Sequence, residues 1–115
     1  MPFVTNEVIP TPVFIKKAKR LKKKFATLSD TLLDLEKDLL KNPRLGDPYG
    51  KNIYKVRIND ESKGKGKSGG FRVVTYVVDE SDEGTSIYLI TILDKSEDST
   101  IKKAAVLKLL EQCGL

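Results

Sequence analysis

Residues 71–78 read FRVVTYVV and residues 87–93 read IYLITIL. Both runs are short, β-branched and apolar, which suits strands covered on both faces better than helices. The stretch before them, IYKVRI at residues 53–58, alternates instead. Tyr54, Val56 and Ile58 point to one side of a strand, and Ile53, Lys55 and Arg57 to the other. A glycine- and lysine-rich link (KGKGKSGG, 63–70) and an acidic one (DESDEGTS, 79–86) join the three. The spacing predicts a three-stranded antiparallel meander.

Outward from this meander the pattern changes to helical. Phe14, Ala18, Leu21 and Phe25 make one apolar stripe, and seven of the nine residues from 16 to 24 are cationic. Leu28, Leu32, Leu35 and Leu39 make a second stripe, with Asp30, Asp34, Glu36 and Asp38 turned outward and Thr27 or Ser29 as a cap. Asn42 and Pro43 end it. Val8 to Val13, broken by Pro10 and Pro12, reads as a short edge strand or extended lead-in. Residues 44–52, RLGDPYGKN, read as turn. A last helix is predicted from Ile101 to Gln112, capped by Ser99 or Thr100, with Ile101, Ala105 and Leu109 on its inner face. The expectation is a single α+β domain over residues 1–115, an N-terminal helical hairpin on an antiparallel sheet with a closing helix.

Composition narrows the chemistry. The chain has one cysteine and no histidine, which excludes an internal disulfide, a cysteine metal cluster and any Ser/His or Cys/His pair. No apolar run approaches about 18 residues, and Asn6, Glu7, Pro10 and Pro12 interrupt any signal-like segment, so a cytoplasmic protein away from membranes is expected. The net charge is +5. Between Lys51 and Arg72 stand seven cationic and two acidic residues, so this hairpin alone carries an excess equal to that of the whole chain. Nucleic acid is the natural partner for such a concentration, whether RNA or DNA.

Gly66-Lys67-Ser68 copies the end of a phosphate-binding P-loop. Glu61 stands where that pattern wants glycine, however, and the link joins two strands rather than a strand and a helix, so nucleotide binding is set aside. Taken singly, Lys63, Lys65 and Lys67 suit a solvated loop as well as a nucleic-acid rim. Lys55 and Arg57 share a strand face that Arg72 can approach from the neighbouring strand. Three like charges gathered on one face repel, and a polyanion relieves them. Tyr49, Tyr54, Phe71 and Tyr76 lie near enough in sequence to stack on bases or to serve as core.

The K-x-R of IYKVRI, the KSGGFRV that follows its glycine-rich link and the closing LITILDKSE together resemble the RelE/HigB branch of the RelE/ParE toxin superfamily. The resemblance runs from the helical hairpin through KNPRLGDP to the last helix. It implies a compact α+β fold, a cognate antitoxin protein as partner and ribosome-dependent cleavage of mRNA in the cytoplasm, with neither metal nor cofactor. It further implies catalytic roles for Lys55, Arg57, Arg72 and Lys95, and RNA contacts from Lys63, Lys65, Lys67 and Tyr54. Lys55 is a candidate base and Lys95 a candidate to support or protonate the leaving group. Where relatives use a histidine or a C-terminal tyrosine this chain has neither, which leaves the proton acceptor unassigned, since Asp94 and Glu97 better suit a capping or solvated role. Two rival readings share the scaffold: a ParE-like poison of DNA gyrase or topoisomerase that cuts no RNA, and a catalytically weak RNA-binding relative.

Overall fold

A computed structural model describes residues 5–59, 70–79, 84–94 and 101–115. Along the chain run β1 (Glu7–Pro10), α1 (Pro12–Lys24), α2 (Leu28–Lys41), β2 (Asp47–Gly50), β3 (Ile53–Asn59), β4 (Gly70–Asp79), β5 (Thr85–Asp94) and α3 (Lys103–Gln112). The expected α+β class is what forms. The sheet is larger than the meander, with five strands in the order β1-β5-β4-β3-β2. It is also mixed rather than purely antiparallel, because β1 pairs parallel to β5 while every other pair is antiparallel.

Pro10 fits at the end of β1 because an edge strand need not donate on its outer side. Thr11 then turns the chain. Its amide and hydroxyl both reach the Leu89 carbonyl, at 3.0 and 2.8 Å, and the same hydroxyl accepts from the Phe14 amide at 3.3 Å. One side chain therefore anchors α1 to the sheet and caps it, with Pro12 preset for the first turn.

Helices α1 and α2 cover one sheet face. Phe14, Ala18, Leu28, Leu35 and Leu39 pack with Val56, Ile58, Phe71, Val73, Ile87, Leu89 and Ile92, and Leu21, Phe25 and Leu32 close in around them. Helix α3 covers part of the opposite face over Ile53, Val74, Ile90 and Leu93. The register slips between Val74 and Thr75, so that Thr91 and Leu89 find partners and Ile90 does not. This bulge turns Ile90 toward α3 while Leu89 and Ile92 stay on the other side.

Three local expectations are corrected. Residues read as turn contain β2, which forms despite Pro48 because it is the outer edge of the sheet. The inner face of α3 is centred on Val106 and Leu110; of the predicted stripe, Ile101 and Leu109 pack at its margin and Ala105 is exposed. Its first turn begins at Lys103, after Lys102 and without a side-chain cap, and the proposed caps Ser99 and Thr100 lie outside the described residues. Thr27 occupies the cap position of α2, but its side chain makes no capping hydrogen bond. No helix among the described residues is long and apolar enough to cross a membrane.

Candidate nucleic-acid interface

Strand alternation and register build the site. Arg57 on β3 lies directly opposite Arg72 on β4, and Lys55 lies opposite Val74, two residues along. Directly paired residues point to the same side with Cβ atoms about 5 Å apart, so the three cations form one cluster. Val74, the partner of Lys55, packs beneath α3, which puts the cluster on the α3 face. On its other flank Arg72 is paired with Leu93, fully enclosed in the core, which gives the arginine stem a fixed base. Arg57 is exposed, whereas Lys55 and Arg72 are half-buried.

Two elements absent from the sequence reading complete the site. The β2–β3 hairpin turns through Lys51 and Asn52, with Asn52 left-handed at φ 61°, a conformation asparagine tolerates. The turn folds Tyr49 back onto β3, and the Lys55 ammonium stands 4.0 Å from the centre of its ring. Lys103, at the start of α3, reaches the same ring at 5.8 Å. Tyr49 thus holds two ammonium groups near one aromatic surface. Gly46 permits the close approach behind it, since it has φ +104° and a Cβ there would stand 2.5 Å from the Lys55 carbonyl oxygen.

Tyr54 is not part of the cluster. It alternates to the α1/α2 side of β3, where Arg44 donates to its hydroxyl at 3.0 Å and lies over its ring at 5.9 Å. Asp94 pairs with Phe71, whose side chain is in the α1/α2 core, so this carboxylate starts from the face opposite Arg72. Lys63, Lys65, Lys67, Lys95 and Glu97 lie outside the described residues. The structure therefore brings together Lys55, Arg57 and Arg72 and adds Tyr49 and Lys103. A hairpin reading of residues 47–55 would have found Tyr49. Nothing in the local sequence ties Lys103 to Lys55, 48 positions away.

Chemically, the cluster offers two guanidinium groups, each a planar fork suited to phosphate oxygens, and an ammonium steadied by an aromatic ring. No protein-family model matches the chain.

Proposed function

We propose that this protein is a RelE/HigB-type toxin, a ribosome-dependent, metal-independent endoribonuclease that cleaves mRNA and arrests translation. The observation that carries the reading is the direct pairing of Arg57 with Arg72, with Lys55 on the same face. Two guanidinium groups set opposite each other across a strand pair suit two oxygens of one phosphodiester.

The reaction that suits such a site is attack of an RNA 2′-oxygen on the adjacent phosphorus. The P–O5′ bond breaks, a 2′,3′-cyclic phosphate forms, and the 2′-hydroxyl proton is lost as the 5′-oxygen gains one. Negative charge grows on the phosphoryl oxygens and on the departing 5′-oxygen. Arg72 and Arg57 stabilise the former, and fixed donors are worth most where charge develops. Lys55, its ammonium over the Tyr49 ring, is placed on the same face to donate to the leaving oxygen. The ribosome would supply RNA in the orientation for in-line attack, a contribution worth about 7–11 kcal/mol at best. A cognate antitoxin would neutralise this face with acidic side chains.

Mapping transcript 5′ ends shortly after induction is the direct test. Cuts phased to codons on translated messages are expected, and an intact transcriptome accompanied by DNA damage would instead mark a topoisomerase poison. The Lys55–Tyr49 contact gives a second expectation. Tyr49→Phe keeps the ring and near-normal cleavage, while Tyr49→Leu loses about 2- to 30-fold, the equivalent of about 0.5–2 kcal/mol for a cation over a ring. Equal losses in the two variants would remove the ring from the mechanism.

A further inference from the structure

Ile15, Lys19 and Lys22 on α1, and Ser29, Leu33 and Glu36 on α2, recur at i, i+4 and i+7, so each set occupies one helix face. A groove of about 530 Å³ runs between the two sets, floored by Phe14, Ala18 and Leu89. It opens toward β1. Asn6 donates to the Leu40 carbonyl at 2.9 Å and so holds the end of α2 at the start of β1, whereas α1 begins just past the other end of that strand. Four strand residues separate these points, about 13 Å. At the rim, Ile15 is 52% and Leu33 56% exposed. Single exposed apolar residues are ordinary, but these two border the same apolar groove.

We propose that this groove is the interface of a symmetric homodimer in which α1 of each copy lies along α2 of the other. Charge selects the occupant. Along the groove α1 presents Lys19 and Lys22 and α2 presents Glu36, whereas Asp30, Asp34 and Asp38 line the other flank of α2, toward Val56 and Arg57. A uniformly acidic partner would match α1 and be repelled by α2, and a basic one would do the reverse. A second copy, turned about a two-fold axis along the groove, presents acid to base on both sides at once. Ile15 and Leu33 of the two copies then fill the apolar centre, and Lys19 of each copy comes within side-chain reach of Glu36 of the other. Pairing α1 with α1 is disfavoured by the same charges.

Sedimentation or light scattering of the full chain tests this. The native protein should have twice the chain mass and a melting temperature that rises with concentration. Leu33→Asp, at an exposed position, should halve the mass, unfold cooperatively and lose that concentration dependence. Lys19→Glu/Lys22→Glu in one preparation and Glu36→Lys in another should each be monomeric, because every rim charge then meets its like. Mixed together, the two should form a one-to-one heterodimer, because both contacts regain opposite signs. A native chain that stays monomeric up to about 100 μM, a Leu33→Asp variant that stays dimeric, or charge variants that fail to pair on mixing would each overturn the proposal.

Discussion

Arg72→Ala is expected to slow mRNA cleavage by about 10²- to 10³-fold, the usual effect of deleting one donor aimed at developing charge. Growth arrest on induction should be relieved in parallel. Its stability should change by no more than about 1 kcal/mol, because the side chain is only half-buried. This separation is what marks a functional residue. A structural arginine would lose activity and melting temperature together. Arg72→Lys retains the charge without the planar fork and should recover only part of the rate. Undiminished cleavage by Arg72→Ala would remove the central group of the site.

Phe71→Ala should have the largest effect on stability. Phe71 is fully buried, and its ring meets Phe25 edge-on with centroids 5.2 Å apart and planes at 77°. It therefore joins β4 to the chain just after α1, across the layer that holds the helices on the sheet. Losing the ring should cost about 3–5 kcal/mol. That is a large part of the roughly 5–15 kcal/mol by which a domain is stable, and the melting temperature should fall by about 10–25 °C. Thermal and denaturant unfolding measure it, and a loss below about 1 kcal/mol would mean that the two rings do not bear on each other. Phe71 also precedes Arg72 on the opposite face, so the packing that orders one side of β4 fixes the direction of the arginine on the other. Any residual Phe71→Ala fold should thus be impaired in cleavage as well.

The helices and the three long strands were legible because their information is local. The stripe through Phe14 and Ala18 and the alternation of IYKVRI each describe one element, and a period of 3.6 or 2 survives whatever that element packs against. The same local rule placed Lys55 and Arg57 on one face and Tyr54 on the other. Where the sequence offered mixed signals, local reading stopped short. Glycine and proline concealed β2, and in the short amphipathic stretch before Cys113 the apolar residues admit two neighbouring stripes, of which packing against Ile53 and Val74 selected Val106 and Leu110.

The sequence by itself determined the helices, the three long strands, the basic stretch between Lys51 and Arg72 and the absence of histidine chemistry. Tertiary structure alone decided that β1 runs parallel beside β5, that Arg57 meets Arg72 in direct register, and that Lys103 arrives at the ring Lys55 already touches. These are relations between segments far apart in the chain. A strand's own residues specify which way its side chains point, whereas its register and neighbours follow from how apolar faces close over one another, and a shift of one residue would send Arg57 and Arg72 to different partners.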